Sequence, residues 1–271
     1  MKNILITGGN SFLAREFVNF FTDYNLIVTD RNTLDVTNSR QVNNFFINNK
    51  IDYVFHTAIK GGSRLREDTF QDFVDNLVMY NNLSNNSDKF KLMFNFGSGA
   101  EFGRDRDIES FEEEQILEKI PNDFYGGSKN LISRDIISKK NIINIRLFGC
   151  FGVFENDTRF IKSTILNCLR NQDIVIKNKK MDFFFVEDLV VLIKAFLSSN
   201  VAYNDINAVY KEKKDLFYIA EYIKDFTNSN SRIIISTKNK SYTGSSKKID
   251  TLNLNFLGLE NSIKKIVEQI K

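Results

Sequence analysis

The chain has 271 residues, 42% of them hydrophobic, with 37 Lys and Arg against 34 Asp and Glu and a formal charge of +3. That length can bury a substantial core in one large or two intimate domains, which excludes a disulfide-stapled miniature. The interspersed charges provide no basic face for nucleic acid, and no apolar run approaches the roughly 20 residues of a membrane helix.

The opening MKNILITGG reads as a buried strand rather than a signal peptide. Two cysteines, Cys150 and Cys168, lack metal-ligand spacing and are expected in the core of a reduced, cytoplasmic protein without a metal. After the first strand come a helix (FLAREFVNFF), a strand (NLIVTD), a helix (SRQVNNFFINN) and a strand (DYVFHTA). The alternation continues through TFQDFVDNLVMYNNLSN, FKLMFNFGS, FYGGSKNLISRDII and NIINIRLFG. It predicts an α/β, Rossmann-type, doubly wound parallel sheet, with residues 1–150 forming a dinucleotide-binding domain. Past Gly149 the pattern loosens into TRFIKSTILNCLRN, DIVIKN and MDFFFVEDLVVLIKAFLSS. Residues 151–271 read as a smaller substrate-binding lobe, with 181–199 returning to the first domain. Ligands of such sheets sit at the carboxyl ends of the strands, here marked by Gly8, Asp30, His56, Gly97 and Gly149.

TGGNSFLA follows a strand and opens a helix, the context in which a glycine pattern cradles a pyrophosphate. Gly8 and Gly9 permit the turn, Ser11, Phe12 and Leu13 lead into the helix, and Ala14 suffices where helix and strand pack closely. Ser11 stands where a glycine is usual, so its side chain must turn away from the phosphates or bond to one. A turn that merely starts a helix is the alternative. Asp30, about twenty residues on, can accept from ribose hydroxyls, while Arg31 could pair with a 2′-phosphate. NAD(P)H is the cofactor these residues suggest, its phosphorylation state left open.

YGGSK sets Tyr125 and Lys129 one helical turn apart on a common face. A phenol titrates near pH 10, so it works at neutral pH only where a cation such as Lys129 favours the phenolate. Ser98, at the mouth of the fourth strand, could bond to a substrate carbonyl beside Tyr125. A solvent-facing pair in an ordinary helix is the plain alternative. His56, the chain's one histidine, reads as a packed core group.

Together these motifs resemble the extended short-chain dehydrogenases/reductases, in the NAD-dependent epimerase/dehydratase branch that acts on nucleotide sugars. TGGNSFLA is similar to T-G-x-x-G-x-x-G, and LDVTN to a segment that places Asp35 at the adenine amino group with Val36 packed nearby. VFHTAIKGG is similar to the stretch lining pyrophosphate and nicotinamide ribose, which implies cofactor roles for Thr57, Ala58 and Lys60. The resemblance adds Asn76 as the helix asparagine and Ser98, Tyr125 and Lys129 as the catalytic set. RLFGCFG and MDFFFVEDLV stand where R-x-x-N-x-Y-G and R-D-F-[IV]-H-V-D-D-[LV] are usual, so Gly149 and Met181 depart from the pattern.

The family's 4,6-dehydratases carry Asp–Glu after the serine; Gly99 and Ala100 have no proton to move there. Glu101 lies one position further along a strand, facing the other side, and takes a structural role. Members that epimerise C3 and C5 add a cysteine and a histidine, but Ala100 holds the cysteine's place and His56 lies in the cofactor segment. The resemblance therefore implies reduction of a 4-keto-6-deoxy nucleotide sugar for surface polysaccharide, with Tyr125 as proton donor. A C4 epimerase with tightly bound NAD is the alternative, and a non-catalytic dinucleotide sensor a further one. Ser98, Gly99, Arg159 and Lys179 are the expected substrate contacts. Such enzymes commonly dimerise through the helix after the third strand and the tyrosine-bearing helix, and the sequence leaves monomer or homodimer open.

Overall fold

The computed structural model describes residues 1–63, 66–198 and 201–271, which divide into two compact units. The first comprises Met1–Arg104, Glu113–Arg146 and Ala202–Ile206; the second comprises Asp105–Glu112, Leu147–Val201 and Asn207–Lys271.

The first unit carries β1 (Asn3–Thr7), α1 (Phe12–Phe20), β2 (Asn25–Thr29), α2 (Ser39–Asn48), β3 (Tyr53–His56), α3 (Phe70–Ser84) and β4 (Leu92–Ser98). After a 3-10 turn at Gly99–Phe102 come α4 (Phe124–Ile136) and β6 (Ile142–Leu147), and β10 (Asp205–Ala208) completes a six-stranded sheet. Its order is β10-β6-β4-β3-β1-β2, with β1 parallel to β2 and β3, and β3 parallel to β4. Both sheet faces are covered, so the strands are continuously apolar but sort by the two-residue period. Leu5, Val54 and Met93 face a cluster with Tyr80, Leu83 and Ile132 from α3 and α4. Phe55 belongs to the opposite face, in edge contact with Phe17 and Phe21 of the α1 segment and with Phe94. Local chemistry sets the helix starts: Asn38 caps α2, Thr69 and Asp72 form a capping box on α3, and Asp123 caps α4.

The second unit contains β5 (Ile108–Phe111), β7 (Cys150–Phe151), α5 (Phe160–Leu169), β8 (Ile174–Asn178), β9 (Phe184–Phe185), α6 (Val186–Ser198) and α7 (Leu216–Thr227). It continues with β11 (Ile233–Lys238), β12 (Tyr242–Gly244), α8 (Lys247–Asp250) and α9 (Leu259–Ile270). Its strands form three parallel pairs, β11-β8, β12-β5 and β7-β9, rather than one sheet. Residues 181–199, expected to return to the first domain, fall in this unit, Ser199 lying outside the described residues. Polar bonds hold α6 there: Asp188 accepts the N–H groups of Leu257 and Gly258 and the hydroxyl of Tyr210, and Glu187 pairs with Lys265. Gly149 replaces the resembled asparagine because a Cβ would lie 2.9 Å from Phe183 Cδ1 and 3.0 Å from Asp182 O. Cys150 and Cys168 are buried. No described helix is long and apolar enough to cross a membrane, and no described cluster of His, Cys, Asp or Glu could hold a metal.

Candidate active site

At the end of β1, Gly8 turns the chain at φ +69°, and a Cβ there would fall 2.6 Å from Ala58 Cα. Both the left-handed backbone and the crowding require glycine. Gly9 donates to Thr29 O at 2.8 Å, and its Cβ would meet Val28 Cγ1 at 2.7 Å. The turn is thus drawn onto the ends of β2 and β3, leaving a backbone-walled cradle before α1.

Ser11 is the N-cap of α1, accepting the Ala14 N–H at 3.2 Å. Thr57 Oγ1 gives its one hydrogen to Thr7 O at 2.6 Å, so across the 2.8 Å contact with Ser11 Oγ it is Ser11 that donates. The hydroxyl is committed to the protein on both counts and turns away from any phosphate. Phe12 and Leu13 open α1, where first-turn N–H groups lack partners inside the helix and attract anions.

Asp30, just after β2, accepts from Asn32 N, Thr33 N and Thr33 Oγ1, all through Oδ1. The Thr33 bonds hold its carboxyl below the usual carboxylate range. Arg31 is exposed and pairs with Asp35 at 3.6 Å. Asp35 also accepts from Thr37 N and Oγ1, while Val36 is buried among the core residues. Ala58 walls the glycine turn. Asn76, buried in α3, accepts the Lys60 N–H at 2.9 Å and donates to Lys60 O and to Ser128 Oγ, tying the loop after β3 to α4. The Lys60 ammonium lies 3.9 Å from Asp75. His56 Nδ1 is 2.9 Å from Thr7 Oγ1, and burial followed by the Lys129 charge pushes the imidazole down to about 3. It is neutral at physiological pH.

Tyr125 is the second residue of α4, half-buried, with its ring against Gly62, where a Cβ would fall 2.7 Å from Cε2. The Arg104 guanidinium stands 5.8 Å from the ring centre and is paired with Asp123. One turn on, Lys129 is buried and donates to Phe96 O at 2.7 Å. Burial lowers its ammonium to about 8, partly offset by Glu101. The start of α4 lies directly on the turn after Ser98: a Cβ on Gly126 would reach within 2.7 Å of Ala100 O. The fold therefore brings Ser98, Tyr125 and Lys129 to one strand end.

Ser98 ends β4 and caps the Gly99–Phe102 turn, its Oγ accepting the Ala100 N–H at 3.2 Å. Glu101 is not on a strand, as expected from the alternation, because the chain leaves the sheet at Ser98 and coils. Its carboxylate returns to accept the Ser98 N–H at 2.7 Å. It sits in a cluster that sequence reasoning missed. Arg146 Nε and Ser133 Oγ both donate to Glu101 Oε2 at 2.6 Å, and Arg146 Nη2 donates to Asp205 at 2.9 Å. Asn144 bridges Ser133 and Asp205. Burial alone would lower the Arg146 pKa, yet Asp205 and Glu101 hold it above the ordinary range. An asparagine and an arginine two residues apart inside the buried run IINIRL were the available signal.

Gly99 is buried as the first residue of the 3-10 turn. Arg159 and Lys179 belong to the second unit. Arg159 is the N-cap residue of α5, without a side-chain capping bond, and lies 3.9 Å from Glu155. Lys179 Nζ stands 5.1 Å from the Tyr242 ring centre.

No curated protein sequence matches the chain. Solved structures do. A GDP-D-glycero-L-gluco-heptose synthase from Campylobacter jejuni, determined in the presence of NADPH, aligns at TM-score 0.85 and 18% identity, covering 99% of this chain and 97% of that one. A GDP-mannoheptose C4 reductase from the same organism, with NADP bound, aligns at TM-score 0.83 and 20% identity, over 99% and 98% of the two chains. A UDP-glucose 4-epimerase from Thermotoga maritima, with UDP-glucose, aligns at TM-score 0.82 and 18% identity, over 99% and 98%. The glycine cradle, the helix start behind it and Asp30 fit a dinucleotide. Over residues 4–208 the sequence matches the model of the NAD dependent epimerase/dehydratase family, and the chain belongs to that family.

Proposed function

We propose that this enzyme reduces a 4-keto nucleotide sugar, with Tyr125 as the proton donor. The observation that carries the reading is the composition of the strand end. Tyr125 shares it with Lys129 and Ser98, Gly99 and Ala100 fill the places of a dehydratase's acid and base, and the chain's one histidine is buried and neutral. That set moves one proton.

The Gly8–Leu13 turn and Asp30 hold NAD(P)H, which supplies the hydride when bound. Ser98 Oγ donates to the substrate's keto oxygen and polarises it. Tyr125 gives that oxygen its proton as negative charge develops there. The Lys129 ammonium stabilises the phenolate left behind, which a bare phenol at neutral pH could not sustain. Its three donors also suit a ribose hydroxyl, and Phe96 O fixes its position. Asn76 keeps the loop after β3 and α4 in register around this point.

The test is NAD(P)H oxidation with a panel of CDP-, GDP-, dTDP- and UDP-linked 4-keto-6-deoxy sugars. At least one should consume cofactor stoichiometrically, and Tyr125→Phe should lower kcat by roughly 10² to 10⁴ with dinucleotide affinity nearly intact. C4 epimerisation of a fully hydroxylated nucleotide sugar without added cofactor, and no oxidation across the panel, would overturn the reductase reading. Wild-type turnover in Tyr125→Phe would remove the tyrosine's role.

A further inference from the structure

Glu101 has no exposed surface, yet it carries a charge and receives donors from three elements. Oε1 takes the backbone N–H of Ser98 at the end of β4. Oε2 takes the hydroxyl of Ser133, which follows Lys129 by one turn of α4, and the guanidinium of Arg146 on β6. Two of these elements, β4 and α4, present Ser98, Tyr125 and Lys129. The space is committed as well, since a Cβ on Gly97 would fall 2.4 Å from Glu101 Oε1. An apolar side chain at position 101 would leave Arg146, the largest fully buried side chain, with one carboxylate fewer and the Ser98 N–H without an acceptor.

The charges show a second order. Behind the site lie two cations, Arg146 and Lys129, and two carboxylates, Glu101 and Asp205. The other titratable groups facing Lys129 are His56, which is neutral, and Tyr125 on its own helix. Removing either carboxylate leaves an uncompensated positive charge among buried side chains. The lysine is the member of the set that can relieve it by losing a proton, because a guanidinium does not.

We infer that Glu101 is a positioning residue for the reaction: its carboxylate ties the Ser98 turn to the lysine-bearing helix and supplies the negative charge that balances the Lys129 ammonium. The inference rests on the reading of Tyr125 and Lys129 as the proton-transferring pair, and it assigns the buried cluster a role beyond bracing the fold. With an amide at this place the oxygen must stay on Arg146 and Ser133. The NH₂ then faces the Ser98 N–H, donor against donor.

The decisive measurement is competitive acetylation of Lys129 by acetic anhydride across pH 6 to 11, read by mass spectrometry on the full chain. Amide exchange at Ser98 is followed in parallel. In Glu101→Gln the labelling midpoint should fall by about one pH unit, and Ser98 exchange should quicken tenfold or more. Glu101→Asp keeps the charge but shortens the reach, so its midpoint should return near wild type while Ser98 exchange stays fast. Asp205→Asn removes a charge from the same cluster without touching Ser98, and its midpoint should fall by a smaller amount. That variant decides the matter if Glu101→Gln does not fold. An unmoved midpoint in the folded variants overturns the inference. Because labelling needs no turnover, its outcome is separate from that of Tyr125→Phe: a moved midpoint with full activity in Tyr125→Phe would mean that Glu101 governs a lysine that does no chemistry.

Discussion

Two serines in the first unit follow or end strands and cap the helical turn that comes next, and they are held in opposite ways. Ser11 closes the glycine turn with neutral bonds alone, donating to Thr57 and accepting from Ala14. The imidazole behind this turn, His56 against Thr7, is uncharged at neutral pH. Ser98 is braced from behind by a buried carboxylate that takes its backbone N–H, with two buried cations nearby. The first arrangement spends the hydroxyl on the fold. The second holds Ser98 through its backbone N–H, which Glu101 accepts, while the Ser98 hydroxyl accepts the Ala100 N–H. Charge is buried at the turn to which the proposed function assigns proton transfer, and neutral bonds serve at the turn proposed to offer its backbone to an anion.

The largest effect should separate the two turns by function. Ser98→Ala removes a donor aimed at developing charge, and kcat should fall by about 10² to 10³. Urea unfolding should shift by no more than the roughly 1 kcal/mol of a lost cap, since the Glu101 bond to the Ser98 backbone remains. A Ser98→Ala enzyme that lost about as much stability as activity would erase the distinction.

The next test concerns the cost of burying charge at the catalytic turn. The Lys129 ammonium is lowered to about 8 by burial, against an unfolded value near 10.5. Below pH 8 both states carry the proton and the folded state bears the full penalty. Between 8 and 10.5 the folded protein sheds its proton first, so wild-type stability gains as pH rises. Relative to Lys129→Met, which lacks this titration, the wild type should therefore gain roughly 3 kcal/mol between pH 7 and pH 10.5. Denaturant midpoints for both proteins at the two pH values measure it, and parallel curves would show that the lysine is not penalised. At pH 7 the inactive variant should be the more stable one.

How far these features could be read in advance follows the same division. The strand–helix alternation, the glycine turn and the Tyr125–Lys129 spacing are local patterns, and a period or a four-residue step reveals them. The turn after Ser98 was legible only in part. Glu101 received a structural role, but through strand alternation, which does not apply once the chain coils at Gly99. Its partners Ser133 and Arg146 lie 32 and 45 residues away along the chain, and Asp205, the second carboxylate on Arg146, lies 104 away; only the folded sheet brings them together. The second unit shows the same limit: Asp188 anchors α6 through backbone groups at 257 and 258, a bond no window of sequence contains.

The smallest expected effect sharpens the reading of the glycine turn. Ser11 was the one departure that left its loop ambiguous, and a phosphate-binding hydroxyl and a fold-committed one make different demands on the variant. If the hydroxyl serves the fold, Ser11→Ala should lose about 1 kcal/mol, the usual worth of an N-cap. The Ser11→Gly variant should lose less of that cap term, because glycine is itself tolerated at an N-cap. The backbone N–H groups that face an anion stay in place in both, so the dissociation constant for NADPH, followed by fluorescence titration, should change by less than about threefold. A tenfold weakening in Ser11→Ala without loss of stability would mean that the serine turns outward to the phosphate when the dinucleotide arrives, and that the neutral bonds seen here are exchanged on binding.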